Sequence, residues 1–231
     1  MVFQTSQFYK YLDYPVGREE RIKELLKLLK EKNVELVSFI SKGYRGVVFK
    51  GIYKGKTVAV KVSRSDVQKE NFLKREYEIL KYLSDKLKEE NPAPTPFLYN
   101  SEFIVMEFIE GETFKFAMNN FNPYFVIKET LKSCYLLDEV FIKHSEIKGE
   151  KHLIFDGKKC RIIDFESAKF SRSPRNLLQF IGYHLIRNKE LLKKLKVKKE
   201  DLQNTIELYK KDRKLGFKSI LSLLTNPSSG L

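Results

Sequence analysis

The 231-residue chain carries 44 Lys and Arg against 30 Asp and Glu, a formal charge of +14, with 42% hydrophobic and 13% aromatic residues. That composition is that of an ordinary globular protein and supplies one good core or two small lobes; its positive excess suits anionic partners such as nucleotides, RNA or an acidic membrane face, unless lysine-rich helices merely solvate the surface. Two cysteines, Cys134 and Cys160, make neither a disulfide framework nor a metal spacing, and no apolar run is long enough for a bilayer span or a signal core, so a reducing, cytoplasmic setting is expected.

After a short aromatic leader, Ile22, Leu25, Leu26 and Leu29 fall at helical spacing and predict an amphipathic helix over roughly 18–32. Three β-rich stretches near 35–40, 46–53 and 57–63, joined by turns such as Lys54-Gly55-Lys56, predict an antiparallel meander. Ser65-x-x-Gln68 resembles a capping box, and Phe72, Tyr77, Ile79, Leu80, Leu83 and Leu87 carry a long helix to about residue 90, where three prolines within 92–96 end it. Residues 103–108 read as a strand, with Gly111 marking the turn after it. Asn122-Pro123 is an N-cap and first-turn pair for a helix through Val140 that turns Phe125, Leu131, Cys134, Leu137 and Phe141 toward a core. Short strands at about 152–155 and 160–163 flank Asp156-Gly157, and from Pro174 the pattern is helical and basic up to a frayed tail. The fold class is α+β with two lobes: residues 1–34 as a helical extension, 35–110 as a small lobe of antiparallel sheet with one long helix, 111–231 as a reduced, mainly helical lobe, and a hinge near 107–112.

An ordered set of groups runs through this pattern. Ser41-x-Gly43-x-x-Gly46-x-Val48 can bring backbone close to phosphates without a Cβ clash, although a plain β-hairpin gives the same string. Lys61 ends Val58-Ala59-Val60-Lys61 on a strand apolar enough to be core, so its ammonium needs a counter-charge, and Glu76 on the next helix is placed to supply one; on a half-exposed sheet both would be ordinary surface groups. Asp164 follows Ile162-Ile163 as a candidate metal ligand. Ser171-Arg172-Ser173-Pro174-Arg175 reads either as a phosphoacceptor segment between arginines or as an N-cap, Ser173, with Pro174 at the first helical position.

In order and spacing these residues resemble the protein-kinase-like superfamily over about residues 35–190, and within it the small atypical kinases of RIO type and the predicted archaeal serine/threonine kinases related to them. The resemblance implies a two-lobed protein-kinase-like fold and an ATP site. Ser41, Gly43, Gly46, Val48 and Ala59 would line it, Lys61 and Glu76 would fix the α/β-phosphates, and Leu153 would form the adenine floor. Residues 105–109 resemble the hinge strand, with Met106 as gatekeeper and the backbone of Glu107 and Ile109 offered to adenine. Residues 144–151 resemble the catalytic loop, with His144 as a structural hub, Glu146 orienting an acceptor hydroxyl and Lys148 neutralising the γ-phosphate, and Asp164-Phe165-Glu166 resembles the Mg²⁺-binding element. Two departures stand out. Glu146 replaces an aspartate, and the position of a second metal ligand falls on Lys151, which is donor-only, or with a one-residue slip on His152, which suits Mn²⁺ better than Mg²⁺.

The activity implied is Mg·ATP-dependent transfer of a γ-phosphoryl group to a hydroxyl acceptor, in this family a protein, with RNA or ribonucleoprotein as a further partner through the basic surface and no membrane span. Two alternatives stay open: a catalytically weak nucleotide-binding scaffold or ATPase switch, motivated by Glu146 and Lys151, and a small-molecule kinase of the aminoglycoside or sugar type.

Overall fold

A computed structural model describes residues 7–67 and 72–225. The backbone divides into two compact units, one comprising residues 1–84 and 94–109, the other 85–93 and 110–231.

The first unit is built on a five-stranded antiparallel sheet in the order β1-β2-β3-β5-β4, with β1 Val34–Lys42, β2 Gly46–Tyr53, β3 Lys56–Ser63, β4 Pro96–Tyr99 and β5 Phe103–Glu107. Alternation along the central strands divides its side chains. Val47, Phe49, Val58, Val60, Val62, Phe103 and Val105 take one face and pack with Leu12, Leu25 and Leu29 from a 3₁₀ turn (Gln7–Asp13) and helix α1 (Glu19–Glu31). On the opposite face Ile104 packs with Phe72 and Leu73 of helix α2 (Phe72–Leu87). The amphipathic N-terminal helix therefore finds its apolar partner on the back of the sheet. A buried carboxylate fixes it there: Asp13 accepts from the backbone and side chain of Arg18 and from Arg21, and Arg21 also donates to the Ser63 carbonyl and Glu102.

The second unit carries two small sheets. One pairs β6 (Glu112–Thr113) and β9 (Cys160–Ile162) with β8 (Leu153–Phe155) between them, and the other pairs β7 (Ile142–Lys143) with β10 (Lys169–Phe170). Around them lie α3 (Phe114–Asn120), α4 (Pro123–Glu139), α5 (Asn176–Phe180) continuing into a π-turn (Ile181–Leu185), α6 (Lys189–Lys194), α7 (Lys199–Lys211) and α8 (Arg213–Thr225). No helix among the described residues is long and apolar enough to cross a membrane.

The α+β class, the antiparallel meander and the long helices agree with the sequence reading. Asn122 caps α4 as expected, accepting from the Tyr124 and Phe125 amides. Other expectations change. Phe125 and Phe141 are 39% and 51% exposed, because α4 buries Val126, Ile127, Leu131, Cys134 and Leu137 instead, and Phe141 lies beyond the helix end with φ 60°. Ser173 is not a helix N-cap: α5 starts at Asn176, and its first amides are capped from another element, Asn176 and Leu177 both donating to Asp138 of α4. β4 and α3 were not foreseen, Pro96 being the first residue of an edge strand, where no ladder donor is missed. Gln68 of the expected capping box and the tail from 226 lie outside the described residues, while the Ser65 hydroxyl donates to the Tyr14 carbonyl at 3.1 Å.

Burial by itself would raise the Asp13 carboxyl, but the hydrogen bonds from Arg18, Ser65 and Arg21 outweigh it and hold the group well below the usual carboxylate range. A carboxyl depressed in the folded state stabilises above its unfolded pKa of about 3.9 and loses that contribution as pH falls further. Asp13→Asn should therefore lower stability by about 2 kcal/mol at pH 7, and its deficit against the parent chain should shrink below about pH 4. Thermal unfolding of both chains from pH 7 to pH 3 checks this; a constant deficit contradicts it.

Candidate functional site

In the first unit, pairing places Ser41 opposite Val48, Val48 opposite Lys61 and Lys61 opposite Ile104, while Lys50, Ala59 and Met106 form the next row on the same face. This is the face away from α1. Lys61 is 4% exposed and its Nζ lies 2.8 Å from Glu76 Oε2, whose residue is 1% exposed. An ion pair this dry offsets its desolvation only through close geometry, and losing either partner takes a charge-assisted bond from a buried charge. The glycine turn closes beside it, the Gly43 amide donating to the Gly46 carbonyl at 2.7 Å. A Cβ on Gly46 would stand 3.1 Å from Lys61 Cγ and 3.1 Å from the Val62 carbonyl, so the bare backbone here lets the turn lie against the lysine stem. Ser41 and Gly43 are exposed and Val48 is half-buried. Met106 is buried next to Ala59, and Ile109 is half-buried. The Glu107 amide donates to the Thr95 carbonyl at 2.8 Å, so any backbone group that Glu107 offers a ligand is its carbonyl.

In the second unit the loop after β7 folds onto itself. The Glu146 amide donates to His144 Nδ1, and His144 Nε2 lies 3.1 Å from the Ile163 carbonyl, so His144 is neutral with its proton on Nε2. The Glu146 carbonyl accepts from the Gly149 amide at 2.9 Å and from His152 Nδ1 at 3.0 Å. A carbonyl only accepts, so His152 Nδ1 bears a proton. A Cβ on Gly149 would fall 2.9 Å from that nitrogen, and glycine is what lets the ring enter. His152 is 4% exposed, and its Nε2 lies 3.5 Å from Asp164 Oδ2 with no hydrogen-bond partner. Asp164 and Ser145 both hold left-handed backbone, φ 68° and 76°, a conformation that costs energy outside glycine and gathers at functional sites. Glu146 is half-buried, Lys148 and Lys151 are exposed, and Leu153 is fully buried on β8 opposite Ile162. Of the two registers open in the sequence, the chain brings His152 to Asp164. The buried, unpartnered imidazole nitrogen beside a carboxylate is a donor pair that fits a divalent cation, and among the described residues no third His, Cys, Asp or Glu joins it.

A buried polar hub supports this loop. Asp138 accepts from the Asn176 amide and side chain, both at 2.8 Å, from the Leu177 amide and from Tyr209 Oη at 2.8 Å. The Asn176 carboxamide also accepts from the His144 amide at 2.9 Å and donates to the Ile142 carbonyl at 2.6 Å. Burial pushes the Asp138 carboxyl up, against the hydrogen bonds from Asn176, Tyr209 and Leu177 that favour its ionised form. The sequence reading passed over Asp138, Asn176 and Tyr209. One signal was present: Asp138 falls seven residues after Leu131 and four after Cys134, on the buried stripe of α4, where a carboxylate must have partners.

No family model matches the chain. It is 38% identical over 74 residues to an uncharacterized protein of Methanocaldococcus jannaschii, covering 31% of this chain and 64% of that one. It is 28% identical over 169 residues to the probable serine/threonine-protein kinase kinX of Dictyostelium discoideum, covering 64% of this chain and 15% of the kinase. The chain thus spans under two thirds of each relative, and the second likeness is a distant, partial one to a kinase.

Asn176→Ala would leave the His144 amide, the Ile142 carbonyl and the Asp138 carboxylate short of partners in a dry site. It should cost about 3 kcal/mol, read as a lowered denaturation midpoint, whereas substitution of exposed Asn204 should stay within about 0.5 kcal/mol.

Proposed function

We propose that the chain is an ATP-dependent phosphotransferase of protein-kinase-like fold that passes the γ-phosphoryl group to a hydroxyl acceptor, a protein side chain by analogy with the kinase it distantly resembles. The observation that carries this reading is the Lys61–Glu76 pair. A sheet gains nothing in packing from an ammonium at 4% exposure, and such a pair is often no more stabilising than apolar residues of similar volume. Held rigid beside a glycine turn, however, the ammonium is preorganised for phosphate oxygens and needs no rearrangement when they arrive.

In this reading the row of Val48, Ala59 and Met106 receives the adenine, and the backbone at Glu107 and Ile109 orients it. Lys61, steered by Glu76, takes the α/β-phosphates. Asp164 and His152 hold the divalent metal, which when bound neutralises charge on the phosphate oxygens. The Glu146 carboxylate orients the acceptor hydroxyl and takes its proton as the bond to phosphorus forms, while Lys148 offsets charge on the transferred group. The loop that presents Glu146 is fixed by its own carbonyl and amide, so orientation comes from bonds already made. Exposed lysines such as Lys193, Lys194, Lys198 and Lys199 suit an anionic partner, ribonucleoprotein among them.

Thermal unfolding with ATP and a divalent cation should show stabilisation of about 2.7 kcal/mol at 100 times Kd. Lys61→Met alone takes the ion-pair partner from a buried carboxylate, so the informative variant is Lys61→Met/Glu76→Met, which keeps apolar packing and should lose the shift. γ-Labelled ATP should pass label to the chain or an added protein acceptor, with Asp164→Asn at least about 100-fold slower. No ATP shift removes the reading; a shift without label transfer favours the nucleotide-binding switch.

A further inference from the structure

We infer that His152 and Asp164 form a divalent-metal site tuned to a borderline ion of Mn²⁺ type in preference to Mg²⁺. The inference depends on the phosphotransferase reading only for the nucleotide that completes the coordination. Three observations in the second unit carry it.

The His152 ring is buried, and its Nε2 has no hydrogen-bond partner. A buried polar nitrogen without a partner costs free energy, so a chain that keeps one gives it a use. The tautomer is also set. In the neutral ring, Nδ1–H donating to the Glu146 carbonyl leaves the lone pair on Nε2, and a ring N–H given to a backbone carbonyl is the usual support of a metal-bound histidine.

Asp164 Oδ2 stands 3.5 Å from that lone pair. A protonated imidazole hydrogen-bonded to a carboxylate closes to about 2.7–2.9 Å, so the observed spacing is too wide for one. Two donors each about 2.1 Å from a shared ion lie roughly 3.0–3.6 Å apart, which includes it. Both donors also stand on fixed backbone. The bare Gly149 admits the ring, and Asp164 is held in the left-handed region next to Phe165, whose fully buried ring packs edge-on to His144 at 4.6 Å.

The ion follows from the donor types. Mg²⁺ is hard, takes oxygen ligands and keeps its waters, whereas imidazole with carboxylate suits Mn²⁺ and its neighbours. Since no third protein ligand joins the pair among the described residues, the other positions are left to water and phosphate oxygens, as in a site open to substrate.

The test uses the full chain and Mn²⁺ alone, without nucleotide. Pulsed EPR of bound Mn²⁺ should show coupling to a ¹⁴N nucleus, lost in His152→Asn and kept in Lys151→Ala. Competition should favour Mn²⁺ over Mg²⁺ by about tenfold or more in the parent, and His152→Asn should narrow this to about threefold or less. Asp164→Asn, altering a side chain 32% exposed, is the variant that loses the metal should His152→Asn fail to fold. Bound Mn²⁺ without ¹⁴N coupling, an unchanged ion preference in His152→Asn, or no Mn²⁺ binding with or without ATP each overturns the inference. If ¹⁴N coupling is present but ATP gives no thermal shift, the phosphotransferase reading fails and the metal site stands. If ATP stabilises the chain and no coupling is seen, the reverse holds.

Discussion

An ammonium taken out of water has to be neutralised where it stands, and the contact of Lys61 with Glu76 is the constraint that orders the first unit. For the two to meet, β3 must turn Lys61 to the face that carries α2, and α2 must present Glu76 at its buried stripe. Strand alternation then sends Val58, Val60 and Val62 to the other face, which would be an exposed apolar surface without a cover. The N-terminal helix and the 3₁₀ turn supply that cover. The segment before the meander is thus part of the unit's core, and Asp13, through Arg21 and Ser63, ties it to the end of the strand that carries the lysine.

The second unit solves a related problem with neutral donors. While Arg213 donates to the Asp138 backbone carbonyl, the Asp138 carboxylate accepts from two amides, a carboxamide and a phenol. Those donors come from α5 and α7, so one carboxylate joins three helices, and through Asn176 it reaches the His144 amide. The loop that holds Glu146 and His152 consequently rests on the packing of the basic C-terminal helices. Tyr209 and Arg213 belong to the candidate site's support although both are far from it in sequence.

What the sequence made legible follows the range of the interactions involved. The helix over Glu19–Glu31, the three-strand meander, the Asn122 cap and the opposition of Lys61 and Glu76 depend on periodicity or on neighbours within some fifteen residues, and all could be read. The start of α5 could not, because its capping group comes from Asp138, 38 residues upstream, rather than from Ser173. Phe125 and Phe141 were assigned to a core on hydrophobicity, although one sits at the first turn of α4 and the other past its end, where the stripe no longer governs direction. That His152 stands beside Asp164 was out of reach for a similar reason. A one-residue shift in a loop carries no periodic signature, and what decides it is a carbonyl of Glu146 and the missing side chain of Gly149.

That carbonyl has a consequence for the proposed chemistry. In the proposed reaction the Glu146 side chain would face the acceptor while the Glu146 carbonyl accepts from His152 Nδ1, so the residue assigned to the hydroxyl and the residue assigned to the metal are joined by one hydrogen bond. A shift of the Glu146 backbone would be felt by the His152 ring. In a phosphoryl transfer, where positioning and charge neutralisation supply most of the catalysis, such coupling keeps acceptor and metal in register without a further element. It also bears on the extra methylene of glutamate compared with aspartate. A longer side chain on a loose loop would spread the carboxylate further, and here the peptide behind it is held by His144, Gly149 and His152 together, which leaves the spread to the side chain's own torsions.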